Sequence, residues 1–243
     1  MYRTLFVLPA MLIFALSACS SPSENSPSDP VGEVPGDQTF EVSAGTSIYS
    51  DRTGATFMLA FDLEAPAEDV RVSILGPDVW NDGETARRVF SSLEAGKTAT
   101  WFNVIRNNEG ERMDAVTGTY IVQASIEGET YRREVTINAD NTLDKPIISE
   151  PELSPSTVSL SWNKVEQAAS YLVTIDTADE GDFEKIYRYT QDTELEFDGV
   201  NLESGQSYKV GLTAITADFT SEQPEVPQGS FNASYTSYGF TAP

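Results

Sequence analysis

Carboxylates are crowded into two short stretches whose spacing could hold a metal ion. One stretch carries Asp176, Asp179 and Asp182, and the other carries Asp140 and Asp144. Calcium binds six to eight oxygen atoms, which such carboxylates and nearby carbonyl groups can supply. Neither stretch has the spacing of an EF-hand loop, and acidic runs of this kind are also typical of solvated turns. We therefore expect two solvated turns, with a calcium site at either of them as the alternative.

Other chemistry is restricted by the residue types that are rare or missing. The chain has no histidine and one cysteine among its 243 residues. Without histidine there is no Ser-His or Cys-His nucleophile pair and no histidine-bound zinc or iron. The 38 acidic residues make some carboxylate pair inevitable, so such a pair does not indicate a glycosidase. We expect a non-catalytic protein without a resident cofactor, and an unrecognised hydrolase is the alternative among enzymes.

The charge is negative along the whole chain. Thirty-eight acidic and 15 basic residues give a formal net charge of -23, of which -8 falls on residues 39–140 and -12 on residues 141–243. A surface of this sign repels the phosphate backbone of nucleic acids. The sequence therefore predicts a soluble body with no nucleic-acid partner.

The single cysteine follows a short apolar run, Leu5–Leu16. As a helix this run would be about 18 Å long, which is too short for a hydrocarbon core of about 30 Å and is typical of a signal peptide. The stretch Leu16-Ser17-Ala18-Cys19 resembles the lipobox of bacterial lipoproteins. The resemblance implies a signal peptide over residues 1–18 and lipidation of Cys19, which anchors the protein to the bacterial cell envelope. Ser20 after the cysteine favours the outer membrane by the same resemblance.

Residues 19–38 are rich in serine, proline and acidic residues and contain almost no apolar side chains. Such a composition cannot bury a core. We expect a disordered tether.

From residue 39 onward, short alternating runs lie between turn residues, which indicates an all-β chain. The hairpin that turns at Glu127-Gly128-Glu129 is the clearest of these signals. Residues 39–140 resemble a generic immunoglobulin-like β-sandwich. The strands predicted for this half are Thr39–Val42, Ala55–Leu63, Val70–Leu75, Thr98–Val104, Gly118–Ile126 and Thr130–Ile137.

The second half, residues 145–243, has a more specific pattern after a turn-rich joint at Asn138–Pro146. Trp162 ends one predicted strand, Tyr171 opens the next, and Tyr208 belongs to the stretch Leu-x-x-Gly-x-x-Tyr-x-Val. These features resemble fibronectin type III domains. The resemblance implies that the three aromatic residues are core residues and that the Tyr208 hydroxyl bridges the preceding turn.

Trp80 is the remaining candidate for ligand contact, because the loop around it is polar and a flat ring can stack on a sugar. The alternative is that Trp80 belongs to the core. Together, the motifs predict a lipid-anchored envelope protein whose two consecutive sandwiches bind a protein or a glycan. A calcium- or carbohydrate-binding accessory module is the alternative function.

Overall fold

A computed structural model describes residues 39–49, 51–107, 109–154, 156–177, 185–219, 226–227 and 229–243. The predicted signal peptide, Cys19 and the predicted tether lie outside these residues. Within them, no helix combines the length and the apolar character needed to cross a membrane.

The described residues form β-strands and one short 3-10 turn at Trp80–Gly83, which confirms the all-β prediction. The strands form a seven-stranded sheet in the order β11-β10-β13-β14-β1-β2-β5, a four-stranded sheet β4-β3-β6-β7 and a three-stranded sheet β12-β9-β8. The strands are β1 (Thr39–Tyr49), β2 (Arg52–Leu63), β3 (Ala67–Leu75), β4 (Ala86–Leu93), β5 (Gly96–Val104), β6 (Gly118–Ile126), β7 (Glu129–Ile137), β8 (Glu152–Ser154), β9 (Thr157–Ser161), β10 (Ser170–Thr177), β11 (Ile186–Thr190), β12 (Glu194–Asp198), β13 (Ser207–Ile215) and β14 (Ala233–Thr241).

In the first sandwich, the four-stranded sheet packs on β1, β2 and β5. Alternate residues of β2 and β6, such as Phe57 and Val122, are buried in one continuous core. The predicted hairpin joins β6 to β7, and its turn has positive φ angles of 51° at Glu127 and 89° at Gly128. Positive φ at both central residues matches the twist of the flanking strands. This type of turn favours a hairpin, which is why the hairpin could be predicted from the sequence.

In the second sandwich, the three-stranded sheet packs on β10, β11, β13 and β14. Its core contains Val158 and Phe197 from the small sheet and Val173 and Leu212 from the large one. The prediction of two β-sandwiches is therefore confirmed. Leu143, from the turn-rich joint, is also buried in this second core.

The two sandwiches share the seven-stranded sheet, which the sequence did not predict. β14 pairs in parallel with β1, with Ser47 opposite Ala233 and Ile48 opposite Ser234. Paired residues in neighbouring strands point to the same face of a sheet. Both sandwich cores therefore lie on one face of the large sheet, and the two small sheets cover that same face.

A third apolar cluster covers the opposite face, where the two sandwiches meet. Met58 and Leu172 alternate with residues of the two main cores and so point away from them. They pack with Ile215, Phe219 and Phe231, of which the last two belong to the segment between β13 and β14. Phe219 and Phe231 therefore pack across the junction of the sandwiches.

The junction also contains a buried hydrogen-bond network centred on Asn232. The Asn232 side-chain oxygen accepts hydrogen bonds from the Thr46 main-chain nitrogen at 3.1 Å and from the Thr46 hydroxyl at 2.9 Å. The main chain of Asn232 exchanges two hydrogen bonds with Thr216, donating to its hydroxyl and accepting from its nitrogen. The Thr46 hydroxyl also lies 2.6 Å from the Asn141 carbonyl oxygen in the joint, so its single hydrogen is shared between the Asn141 and Asn232 acceptors. One asparagine thus ties both sandwiches together.

Candidate binding surfaces

The carboxylates considered as calcium ligands in the sequence analysis do not form a metal site among the described residues. Asp179 and Asp182 lie outside the described residues. The Asp176 carboxylate accepts a hydrogen bond from the Thr177 nitrogen at 2.9 Å and lies 3.8 Å from the Lys185 amine. Asp140 and Asp144 are exposed. No cluster of three or more His, Cys, Asp or Glu residues able to hold a metal ion occurs in the part of the chain that the structure describes.

Trp80 is a core residue, so the prediction that its ring stacks on a sugar does not fit the structure. Only 1% of its surface is exposed, and its ring packs edge-on against Tyr120 with centroids 5.1 Å apart. A Cβ atom at Gly76 would lie 2.6 Å from the Trp80 ring and 2.7 Å from the Tyr120 ring. The polar residues around Trp80 form a turn, and the Trp80 ring points from this turn into the core. The polarity of the loop therefore did not indicate that the Trp80 side chain is exposed.

The three aromatic residues predicted to lie in the core of the second sandwich are all buried: Trp162, Tyr171 and Tyr208. Trp162 packs edge-on against Tyr171, whose hydroxyl accepts a hydrogen bond from the Val165 nitrogen at 2.9 Å. The Tyr208 hydroxyl accepts a hydrogen bond from the Glu203 nitrogen at 2.9 Å and so bridges the turn before β13. Each tyrosine thus buries its ring while its hydroxyl satisfies a main-chain group.

The first sandwich contains an equivalent tyrosine that the sequence analysis missed. The Tyr120 hydroxyl accepts a hydrogen bond from the Val116 nitrogen at 3.0 Å and donates to the Val116 carbonyl at 2.9 Å. Burial raises the pKa of Tyr120 to about 12, although its hydrogen bond with Val116 acts in the opposite direction. The signal in the sequence was a glycine shortly before a tyrosine at the start of a strand, Gly118 before Tyr120 in β6 and Gly205 before Tyr208 in β13, although the spacing is one residue shorter in the first sandwich.

In each sandwich an arginine lies on the core side of an edge strand, half-buried at Arg88 and exposed at Arg188. The Arg88 guanidinium, on edge strand β4, lies 5.8 Å from the ring centroids of both Phe90 and Phe102. The Arg188 guanidinium, on edge strand β11, lies 5.3 Å from the Phe197 ring centroid. Inward-pointing charges on edge strands disfavour pairing with a strand of another chain. The faces of the sheets are therefore better candidates for binding than these edges.

Three arginines lie on the outer surface of the four-stranded sheet, in a protein that is acidic along its whole length. Arg71, Arg87 and Arg132 alternate with residues of the first core and so point outward. Arg132 forms an ion pair with Glu134 at 2.6 Å. Within the described residues, Arg71 and Arg87 have no carboxylate within ion-pair distance.

Two exposed aliphatic side chains lie among these arginines. Val89 is 59% exposed and stands opposite Arg71 in the ladder between β3 and β4, and Leu75 is 39% exposed near the end of β3. We call Arg71, Leu75, Arg87, Val89 and Arg132 the arginine face.

The outer surface of the three-stranded sheet has the opposite sign. Glu194, Glu196 and Asp198 alternate along β12 with side chains of the second core, and Glu152 lies on β8. Glu152 and Glu196 stand on either side of Ser159, whose hydroxyl donates to the Glu196 carboxylate at 3.0 Å. We call Glu152, Glu194, Glu196 and Asp198 the carboxylate face.

Comparison with known proteins gives matches to solved structures alone. No protein-family model matches the chain, and no curated protein matches it. The fn3 domain of human collagen alpha-1(XX) chain is 24% identical with a TM-score of 0.33, covering 44% of this chain and 90% of that one. A two-domain segment of chicken tenascin is 17% identical with a TM-score of 0.32, covering 85% of this chain and 100% of that one. Chicken CNTN1 FN1-FN3 domains are 11% identical with a TM-score of 0.29, covering 83% of this chain and 63% of that one. These matches are fibronectin type III domains. The fold is established by the strands and their pairing registers. The TM-scores of these matches carry no argument about function.

Proposed function

We propose that this protein is a non-catalytic, lipid-anchored protein of the bacterial cell envelope that presents two joined β-sandwiches for binding another protein or a glycan. The proposal is carried by the order of features along the chain. A lipobox-like stretch ending at Cys19 precedes a polar segment, and the first strand begins only at Thr39. A lipid at Cys19 would attach the processed N-terminus to the membrane. The polar segment would separate this anchor from the folded β-sandwiches.

The non-catalytic part of the proposal is supported by composition. The chain has no histidine, and its single thiol is the one assigned to the anchor. The outer surfaces of the two small sheets are exposed, and such surfaces suit recognition of a partner better than they suit enclosure of a small substrate. The outer membrane remains the proposed location, on the strength of Ser20.

A glycan is the second candidate ligand, and the observation that favours it lies on the outer face of the large sheet. Tyr187 is 38% exposed and stands in one ladder row with Thr174 and Gly211. The Tyr49 and Tyr235 rings stack nearby with centroids 5.0 Å apart. The Thr174 and Tyr235 side chains cover Gly211, so the exposed part of the Tyr187 ring is the surface that could stack on a sugar. Tyr187 therefore replaces Trp80 as the candidate for sugar stacking.

The anchor is tested by metabolic labelling with palmitate and by membrane fractionation. We expect the wild-type protein to incorporate label and to sediment with membranes, and we expect Cys19→Ala to lose both properties because the thiol that carries the lipid is gone. Ser20→Ala is the matched control, which should keep the label. An unlabelled wild-type protein that distributes like Cys19→Ala would contradict the proposal.

A further inference from the structure

We propose that the protein self-associates, with the arginine face of one copy packed on the carboxylate face of another. The inference concerns the folded body alone and does not depend on the lipid anchor. It begins from the opposite charges of the two small sheets. The arginine face carries three positive charges beside Glu134, while the exposed Glu68 and Asp69 lie at the start of β3, at the opposite end of that strand from Leu75. The carboxylate face carries four negative charges, a local sum of -4.

The groups on the arginine face are available to a second chain. Arg71 and Arg87 have no carboxylate within ion-pair distance among the described residues, so a partner's carboxylates could pair with both. Arginine binds carboxylates through two parallel hydrogen bonds, which gives such contacts a defined geometry. On the carboxylate face, Glu194 and Asp198 are exposed and lie at the two ends of β12.

Apolar contact adds to this electrostatic match. Val89 and Leu75 are two of the five exposed large hydrophobic residues among the described residues, and both lie on the arginine face. A third, Ile147, is 70% exposed, and its main chain pairs with Asn163 just beyond β9 in the three-stranded sheet. Arginine is enriched in protein-binding surfaces, and apolar side chains form the buried centre of such surfaces.

The arrangement of the sheets makes both faces accessible to one partner. The two small sheets cover the same face of the seven-stranded sheet, as the pairing of β1 with β14 shows. Their outer surfaces are therefore both directed away from the large sheet. A second copy could engage both faces, its carboxylate face meeting the arginine face while its own arginine face meets the carboxylate face. Such reciprocal contact is the geometry of a two-fold dimer.

The net charge of -23 opposes association but does not prevent it. At an ionic strength of about 0.15 M, charges separated by more than about 8 Å are largely screened from one another. Contact between the two faces involves charges much closer than that, so the local match outweighs the repulsion between distant carboxylates. An acidic protein other than a second copy would also fit the arginine face, but it would leave the carboxylate face unused.

The test is a charge swap in the full mature chain, measured by sedimentation equilibrium in a density-matched nonionic detergent. We expect the wild-type protein to associate as its concentration rises. Arg71→Glu/Arg87→Glu and Glu194→Lys/Asp198→Lys should each weaken this association at least tenfold, because the first places carboxylates opposite carboxylates and the second removes the net negative charge that attracts the arginines. An equimolar mixture of the two variants should associate again, because the introduced glutamates then lie opposite the introduced lysines.

The mixture separates the proposal from simple misfolding, since a misfolded variant would not be rescued by its partner. Lys209→Glu is the matched control, because Lys209 is exposed on β13, away from both small sheets. This variant should associate like the wild-type protein. A wild-type chain that stays monomeric at every concentration, or a mixture that stays monomeric, would overturn the proposal. Binding of a different acidic protein to a monomeric chain would overturn it as well.

Discussion

Replacing Gly45 by alanine is expected to lower the free energy of unfolding by about 3 kcal/mol or more. A Cβ atom at this position would lie 2.6 Å from the carbonyl carbon of Phe231 and even closer to its oxygen. The obstructing atoms belong to the main chain, so no side-chain rotation can relieve the clash. The segment before β14 would have to move away from β1.

That movement would also disrupt the junction of the two sandwiches. Phe231 donates a main-chain hydrogen bond to Ala44, and its ring belongs to the third apolar cluster. Asn232, the next residue, supplies the oxygen that accepts both hydrogen bonds from Thr46. Gly45→Ala therefore strains the place where the halves are tied together.

Urea unfolding measures this effect, and Gly239→Ala is the matched control. Gly239 lies in β14, where an added Cβ atom would meet its nearest neighbour, the Tyr208 carbonyl oxygen, at an ordinary 3.9 Å. The control should change the free energy of unfolding by less than about 1 kcal/mol. Equal stability of the two variants would show that Phe231 does not approach Gly45 in the way described.

Replacing Trp80 by alanine is expected to cost about 3–5 kcal/mol of stability, because the substitution removes a buried indole and leaves a cavity. The indole packs against Tyr120, the residue that bridges the start of β6, and it covers Gly76. The loss should therefore affect the whole first core. Thermal unfolding measures it, and Trp80→Phe should lose less because it keeps an aromatic ring there.

The same variant separates the structural role of Trp80 from the sugar-binding role that its sequence context suggested. If the folded Trp80→Ala protein kept its stability and lost retention on an immobilised polysaccharide, Trp80 would have to be exposed in solution. We expect the reverse result. Retention, if the protein shows any, should depend on Tyr187 instead.

Strands with strict alternation were predictable from the sequence, and edge strand β4 was not. β6 and β7 alternate apolar and polar residues around a two-residue turn, so their bounds were predicted almost to the residue. β4 was missed because its sequence, Ala-Arg-Arg-Val-Phe-Ser-Ser-Leu, includes a charged residue that points inward. Arg88 can occupy that place because β4 is an edge strand and the guanidinium lies against aromatic rings.

The shared sheet could not be predicted because its signal is not local. The end of β1, from Ser43 to Tyr49, is dominated by small and polar residues, which gives no apolar alternation. Ser43, Thr46 and Ser47 are nevertheless buried, because Asn232 and the segment before β14 cover them. The partner of this strand lies almost 190 residues away in the chain.

The arginine face and the carboxylate face could not be predicted from the sequence for a similar reason. Arg71 and Arg87 become neighbours only through the pairing of β3 with β4, and β4 was not predicted. The carboxylates of β12 were counted in the net charge, but nothing in the sequence distinguished them from other solvated acids. Charge patterning became informative once strand register showed which side chains point outward.

The central claim, that the two sandwiches form one body, is tested most directly by scanning calorimetry of the mature chain. A shared sheet, a common apolar cluster and the Asn232 network should make the halves unfold together. We predict one transition whose calorimetric and van't Hoff enthalpies agree for the whole folded chain. Two separate transitions, each with the enthalpy of a single sandwich, would contradict the claim.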